Sequence, residues 1–163
     1  MEDSILLLSV GELNENKNHK VVIDVLPSLP ENIHYIICGT GKLYDEYIEQ
    51  AKKLNVANRL HLLGYRDDVI KIMKSCDIFI FPSKREGLSV ALMEAMACGL
   101  PCIVSNIRGN KDLINDNIFE IKDLNKIERL IIKNINMHKK DYPTSVINRI
   151  DCKKIMEQMK AIY

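Results

Sequence analysis

Two carboxylates, Glu86 and Glu94, are separated by seven residues around the predicted start of a helix. Glu86 belongs to a polar loop, whereas Glu94 is the single charged residue of an apolar segment that covers residues 89–98. Burying an ionised carboxylate costs several kcal/mol unless a partner offsets the lost hydration. We therefore predict a partner for Glu94, which is either a backbone amide or a lysine of the protein, or a group of a ligand.

The loop before this helix has the features of an anion site. Gly87 permits a ligand to approach the backbone closely. The free amides at a helix start, with the positive end of the helix dipole, favour a phosphate. Carboxylates accept hydrogen bonds from hydroxyl groups, while backbone amides donate to a diphosphate. The combination therefore suggests a sugar nucleotide as the ligand.

The segments around the two acids predict a strand, a helix and a second strand. Ile78–Phe81 is an apolar run of the kind that forms a strand buried on both faces. The helix over residues 89–98 is stopped by Gly99 and Pro101, and residues 102–104 resume as a strand. Ligands of an open parallel sheet bind beyond the carboxyl ends of its strands, which is where Glu86 stands.

The rest of the chain continues this alternation. Further strands are predicted over residues 5–10, 33–38, 60–63 and 118–121, and helices from about residue 19 and over residues 43–54, 69–73, 124–137 and 151–162. We expect Tyr44 and Tyr47 to face inward from the second helix, and Asp67 or Asp68 to cap the third. The fold class is therefore α/β, with a parallel sheet of about six strands and helices on both faces.

Composition excludes several classes of protein. A chain of 163 residues suits one domain, and 47% hydrophobic with 28% charged residues is ordinary for a globular protein. The net charge of +1 and the absence of Trp disfavour a nucleic-acid surface. No apolar run approaches the roughly 20 residues that span a bilayer. Most of the five cysteines fall in apolar segments and are interpreted as buried thiols in a reducing compartment, so we expect a cytoplasmic protein.

Residues 81–101 resemble the E-x7-E signature of the retaining glycosyltransferases of family 4. The matching block reads Phe-Pro-Ser-x-x-Glu-Gly-Leu-Ser-Val-Ala-Leu-Met-Glu-Ala-Met-Ala-Cys-Gly-Leu-Pro. The resemblance is clear over about residues 8–113 and fainter to the end of the chain. It implies the C-terminal, Rossmann-like half of a GT-B fold, in which this domain holds the nucleotide-sugar donor.

The resemblance also implies roles for individual residues. It makes Glu86 the catalytic carboxylate, which holds hydroxyls of the donor sugar, and it assigns the ribose hydroxyls to Glu94 and the diphosphate to Lys17. The implied donor-binding residues are Gly11, Lys17, Gly39, Gly41, Gly64, Tyr65, Arg66, Gly87, Leu88, Ser89, Val90 and Glu94. The residues by themselves leave plainer interpretations open, namely a surface lysine at Lys17, a tight turn at residues 39–41 and a strand-ending turn at residues 64–66.

Glu12 departs from the family pattern. The family often has an arginine after the first glycine, where it helps to hold the diphosphate, but this chain has a carboxylate. Another cation must then substitute, and Arg85 is favoured over Arg108, or the diphosphate is held less tightly.

The resemblance implies a hexosyltransferase that moves a sugar from a nucleotide-diphosphate donor, with a UDP-sugar as the first guess, to a polysaccharide or glycolipid acceptor. It implies no metal ion and no other cofactor. Residues 1–163 would be the nucleotide-sugar-binding domain, inactive without an N-terminal acceptor domain or partner chain. The full protein would work in surface polysaccharide synthesis, as a peripheral protein at the membrane face. The alternatives are a catalytically silent nucleotide-sugar-binding or partner-docking subunit and, less favoured, a GT-B-type sugar-nucleotide epimerase. An incomplete glycine fingerprint disfavours a dehydrogenase-type domain.

Overall fold

The computed structural model describes residues 4–135. The strands are β1 (Ile5–Val10), β2 (Ile33–Cys38), β3 (Leu60–Leu62), β4 (Ile78–Phe81), β5 (Cys102–Ser105) and β6 (Ile118–Phe119). The helices are α1 (Lys20–Val25), α2 (Tyr44–Lys53), α3 (Val69–Ser75), α4 (Val90–Ala97), α5 (Arg108–Lys111) and α6 (Leu124–Ile135). The helix predicted over residues 151–162 and the end of the one predicted over residues 124–137 lie outside the described residues.

All six strands pair in parallel, in the order β3-β2-β1-β4-β5-β6. From β1 the sheet extends through β2 to β3 on one side, and from β4 it extends through β5 to β6 on the other side. The carboxyl ends of β1 and β4 are therefore adjacent at the point where the strand order reverses, which is where α/β sheets of this kind bind ligands. The predicted α/β fold with a six-stranded parallel sheet is confirmed.

Helices cover both faces of the sheet, because the strand residues that point to each face are apolar. One face packs Leu7, Tyr35 and Ile78 against α1, α2 and α6. The opposite face packs Leu8 and Phe79, among others, against α3 and α4. The central strand β4 is buried along its whole length, so its carboxyl end holds the following loop in a rigid setting.

Three details of the prediction are wrong. Leu63 lies beyond β3 and is 42% exposed, and Tyr44 is exposed while Tyr47 of the same helix is buried. Asp68 precedes α3 without capping it, because its carboxylate binds Arg66 instead. Local sequence patterns predict the existence of a helix or strand more reliably than they predict the residue at which it ends.

The thiols of Cys38, Cys76 and Cys102 are buried, as predicted, and that of Cys98 is half-buried. Between residues 4 and 135, the helices are too short or too polar to cross a membrane.

Candidate functional site

Lys17 and Glu86 meet at the carboxyl edge of the sheet. The Nζ of Lys17, in the loop after β1, lies 2.6 Å from Oε1 of Glu86, in the loop after β4. The two side chains are only 22% and 14% exposed. The ammonium group also lies 5.3 Å from the centroid of the Phe81 ring, within the range of a cation–π contact. The structure thus joins two residues that the sequence analysis assigned separately to a diphosphate and a sugar.

Two asparagines beside Lys17 join the same pair of loops. Nδ2 of Asn16 donates to the carbonyl of Arg85 at 2.9 Å, and the Asn16 carbonyl accepts from the backbone N–H of Lys84 at 2.8 Å. Nδ2 of Asn18 donates to the carbonyl of Pro82 at 3.2 Å. Sequence analysis missed both asparagines. The signal that could have found Asn18 is its residue type, because its φ of 54° lies in the left-handed region that asparagine tolerates.

Two glycines near the edge are required by backbone packing. A Cβ on Gly39 would lie 1.9 Å from the Gly11 carbonyl oxygen, and a Cβ on Gly41 would lie 2.5 Å from that of Leu13. Gly109, which the sequence analysis also missed, is similar, because its Cβ would lie 2.2 Å from the carbonyl oxygen of Gly87. These glycines bring the loops together at distances that no other residue permits.

The start of α4 presents unpaired amides. Ser89 is the N-cap, and its Oγ accepts from the N–H of Leu92 at 3.3 Å. The N–H groups of Val90 and Ala91 have no hydrogen-bond partner within residues 4–135. Gly87 is exposed, and no heavy atom lies within 4 Å of the place where its Cβ would be. The loop is thus open to a ligand at the end of the helix that favours an anion.

Glu94 lies on the partly exposed side of α4 and is half-buried, so the prediction of a helix that is buried all round was too strong. No described residue forms a hydrogen bond or ion pair with its carboxylate. Burial raises the pKa of Glu94 above its ordinary value. Of the partners that the sequence left open, the described part of the protein supplies none, so a ligand remains the candidate.

Two clefts open beside the Lys17–Glu86 contact. One, of about 280 Å³, is lined by Val10, Gly11, Glu12, Cys38, Gly39, Thr40, Tyr65, Arg66 and Val69. The other, of about 220 Å³, is lined by Glu86, Gly87, Leu88, Arg108, Gly109 and Asp112. Seven of the predicted site residues line these clefts: Gly11, Gly39, Tyr65 and Arg66 line the first, together with Glu12, and Glu86, Gly87 and Leu88 line the second. The other predicted residues line neither cleft: Lys17, Gly41, Gly64, Ser89, Val90 and Glu94. Arg108 lines the cleft of Glu86 and Arg85 does not.

The turn after β3 closes the first cleft. Tyr65 is 83% exposed, and Gly39 donates its N–H to the Gly64 carbonyl at 2.7 Å. Arg66 is held by two hydrogen bonds to Asp68, at 2.8 and 2.7 Å, which raise the pKa of the guanidinium and lower that of the carboxylate. The arginine is thereby fixed beside the cleft rather than free in solvent.

Buried polar atoms without partners cluster at the same edge. Within residues 4–135 these atoms are Asn16 Oδ1, His19 Nε2, Ser83 Oγ, Asn106 Oδ1 and Asn110 Oδ1. All belong to the segments that follow β1, β4 and β5. Buried polar groups are nearly always hydrogen-bonded, so their concentration here indicates where water or a ligand is bound.

A wider groove of about 600 Å³ lies between α1 and α2. Charged side chains of both signs line it, and it includes Asn18 and Lys84 but neither Glu86 nor Glu94. The described residues contain no group of three or more His, Cys, Asp or Glu side chains arranged to hold a metal ion. The chemical groups of the edge itself are a lysine, open amides and two carboxylates, which together suit an anion that also carries hydroxyl groups.

Known proteins are similar to this chain in sequence and in fold. Residues 1–145 match the family model described as "Glycosyl transferases group 1". The UDP-Gal:alpha-D-GlcNAc-diphosphoundecaprenol alpha-1,3-galactosyltransferase of Escherichia coli is 30% identical over 176 residues, which cover 99% of this chain and 46% of that enzyme. The N-acetylgalactosamine-N,N'-diacetylbacillosaminyl-diphospho-undecaprenol 4-alpha-N-acetylgalactosaminyltransferase of Campylobacter jejuni is 34% identical over 114 residues, which cover 69% of this chain and 31% of that enzyme.

A solved structure shows the same fold. The crystal structure of Anabaena HepE in complex with UDP and glucose superposes with a TM-score of 0.84 at 21% identity, over 98% of this chain and 48% of that one. The chain thus spans about half the length of the E. coli and Anabaena proteins.

Proposed function

Because the chain belongs to the glycosyl transferases group 1 family, we propose that it forms the donor-binding half of a retaining glycosyltransferase of family 4. The observation that carries this proposal is the 2.6 Å contact of Lys17 with Glu86 at the mouth of α4. It supports the proposal because a lysine, which suits a diphosphate, lies next to a carboxylate, which suits sugar hydroxyls, at the strand ends where this kind of sheet binds nucleotides.

The donor would lie along the edge with its parts in separate places. The diphosphate would bind Lys17 and the open amides between Gly87 and Val90, which stabilise the negative charge that grows on the leaving group. Glu86 would accept hydrogen bonds from the sugar and Glu94 from the ribose. The nucleobase would enter the cleft of about 280 Å³ that the residue 64–66 turn closes.

Binding would exchange the Lys17–Glu86 ion pair for an ion pair between Lys17 and the diphosphate. Without a donor, Glu86 is neutralised by Lys17, a contact that spans 69 residues of sequence. A diphosphate presents more negative charge to Lys17 than one carboxylate does, so the lysine would move toward it and leave Glu86 free for sugar hydroxyls. Diphosphate and sugar recognition would then be coupled through one ion pair.

We propose a UDP-sugar as donor and a lipid-linked or polysaccharide acceptor. The support is the UDP-Gal named for the E. coli relative and the UDP in the Anabaena structure. We propose that the reaction takes place in the cytoplasm, because the buried thiols of Cys38, Cys76 and Cys102 suit a reducing compartment. Lys17 and the α4 amides supply the positive charge at the diphosphate, so we propose that donor binding needs no metal ion.

A second candidate is a catalytically silent nucleotide-sugar-binding subunit. The observation in its favour is Glu12, which lines the first cleft with a negative charge where the family often has an arginine. Sugar transfer by this chain when it is combined with an N-terminal acceptor half would exclude the silent subunit.

The deciding experiment is calorimetric titration of the chain with UDP, GDP and ADP and then with sugar conjugates of the nucleotide that binds. We expect UDP to bind, a UDP-sugar to bind more tightly, and neither affinity to change when EDTA replaces Mg²⁺. A ligand at a hundred times its dissociation constant should stabilise the fold by roughly 2.7 kcal/mol, which thermal unfolding detects. Failure of all the nucleotides to bind would contradict the proposal.

A further inference from the structure

His19 lies beneath the loop that carries Lys17 and is only 1% exposed. Its Nδ1 is 3.2 Å from the hydroxyl oxygen of Tyr35. The Tyr35 hydroxyl donates to Oγ of Ser9 at 2.8 Å, and Ser9 donates to the carbonyl of Ile80 at 2.5 Å. This chain of hydrogen bonds links the start of α1 to β2, β1 and β4.

The imidazole is neutral and has hydrogen-bonding groups beside both of its edges. Burial lowers the pKa of His19 to about 4, so the ring is neutral at neutral pH. Its single N–H is donated either by Nδ1 to the Tyr35 oxygen or by Nε2 towards the backbone of Gly11 and Glu12, because backbone groups that raise the pKa of a histidine act as acceptors.

The other edge of the ring faces the loop. Backbone groups of Gly11 and Glu12 lie beside the imidazole and partly oppose the fall in its pKa, yet Nε2 has no hydrogen bond of regular geometry within residues 4–135. The Tyr47 ring stands edge-on to the imidazole, with centroids 6.1 Å apart and planes at 89°. The ring is therefore held in one orientation, between a fixed strand network and the turn at Gly11.

We propose that His19 is a positioning residue for the diphosphate of the donor, an inference that rests on the proposed function. It connects the rigid strands to the turn at Gly11 and Glu12 and to the loop of Lys17. Because one edge of the buried ring meets the strand network and the other edge meets the turn, the imidazole fixes the position of the turn relative to the strands. Holding a binding loop before the ligand arrives reduces the entropy lost on binding.

The test compares UDP with uridine, which has the same base and ribose but no diphosphate. The wild-type chain and the variants His19→Leu, His19→Asn and Tyr35→Phe are titrated with both by calorimetry. We expect His19→Leu to weaken UDP binding by roughly tenfold and Tyr35→Phe by a smaller factor, as loss of one or two positioning hydrogen bonds would. His19→Asn should recover part of the affinity, because its amide can donate to Tyr35 from near the position of Nδ1. Uridine affinity should stay unchanged throughout.

Ile23→Val is the matched control, because Ile23 is a buried residue of α1 whose apolar side chain cannot take part in this chain of hydrogen bonds. It should lower the unfolding temperature and leave UDP affinity unchanged. Wild-type affinity for UDP in folded Tyr35→Phe and His19→Asn would overturn the inference, and so would equal losses for UDP and uridine. Failure of the wild-type chain to bind UDP, GDP or ADP would instead refute the proposed function. Should His19→Leu not fold, Tyr35→Phe and His19→Asn decide the matter.

Discussion

After β1 and β2 the chain packs backbone against backbone, whereas after β4 and β5 one such contact, between Gly109 and Gly87, is accompanied by side-chain hydrogen bonds. On the first side, Gly39 and Gly41 leave room for the main chain of residues 11–13. On the second side, Ser105 donates to the Ser83 carbonyl at 2.5 Å, and Asn110 donates to the Ser105 carbonyl at 3.1 Å. Gly87 stands in open space.

Glycine residues have two different roles at this edge of the sheet. A glycine that follows a strand in a sheet of this type suggests close approach to a ligand. Gly39 and Gly41 instead approach the protein's own backbone and shape the cleft indirectly, while Gly87 leaves the backbone accessible from outside. Substitutions at the two kinds of glycine should therefore have opposite consequences for folding and for binding.

The largest effect is expected from Gly39→Ala. Its methyl group would overlap the Gly11 carbonyl oxygen, which belongs to backbone and cannot rotate away. We expect a loss of about 3 kcal/mol or more in the free energy of unfolding, measured by urea denaturation. Gly64→Ala is the control, because Gly64 has a φ of 68° but open space at its Cβ, so only the left-handed conformation is penalised, by about 1 kcal/mol. Equal losses in the free energy of unfolding for Gly39→Ala and Gly64→Ala would contradict the role of Gly39 in backbone packing.

Lys17→Met tests the contact that joins the two sides. The methionine keeps the apolar stem near Phe81 and removes the charge, so Glu86 loses its cation. We expect UDP affinity to fall by about 1.5–3 kcal/mol, the range for a hydrogen bond to a charged group, in a calorimetric titration.

Lys42→Met is the matched control for that variant. It breaks the exposed Lys42–Glu15 pair, whose atoms are 3.4 Å apart in a neighbouring part of the loops. Exposed pairs contribute at most about 1 kcal/mol to stability, and this one lies away from Glu86. A similar loss of UDP affinity in both variants would show that Lys17 acts through general charge rather than through its position.

Glu94→Gln separates binding from stability on the α4 side. We expect the fold to persist and UDP affinity to fall by about 1–3 kcal/mol, because the amide is uncharged and has one acceptor oxygen in place of two. Loss of folding with unchanged affinity would instead assign Glu94 a structural role.

The same variant should change the pH dependence of stability. Burial raises the pKa of Glu94 in the folded protein, so the folded chain holds this proton more tightly than the unfolded chain does. The stabilising contribution is complete below the ordinary glutamate pKa and is lost as the pH rises through the raised pKa. Thermal unfolding should therefore show the wild type losing stability relative to Glu94→Gln as the pH increases through that window. Parallel curves would contradict the uncompensated burial of Glu94.

The smallest effect on folding is expected from Gly87→Ala. Its φ lies outside the left-handed region and its Cβ would meet nothing within 4 Å, so the unfolding free energy should change by less than about 0.5 kcal/mol. Donor affinity should nevertheless fall, because the methyl group would occupy the space through which the diphosphate reaches the backbone. Unchanged binding would place the ligand elsewhere on the edge.

Local patterns in the sequence predicted a good deal of this edge. The apolar run Ile78–Phe81, the stop at Gly99 and the position of Ser89 specify a strand, a loop and a helix start through interactions among near neighbours. Asn16, Asn18 and Gly109 were missed, because each acts on a loop far away in sequence. An asparagine in a polar loop has the same local pattern whether or not a distant carbonyl is within reach.

The sequence by itself determined the alternation of strands and helices, and with it the α/β class and the place of Glu86 and Glu94 around α4, because periodicity and capping are local. Only the tertiary structure decided that Lys17 pairs with Glu86, that Arg108 rather than Arg85 lines their cleft, and that Glu94 is half-buried without a described partner. These outcomes depend on the parallel pairing of β1 with β4 and of β4 with β5. The pairing of β1 with β4 brings loops about 70 residues apart within hydrogen-bonding distance of each other.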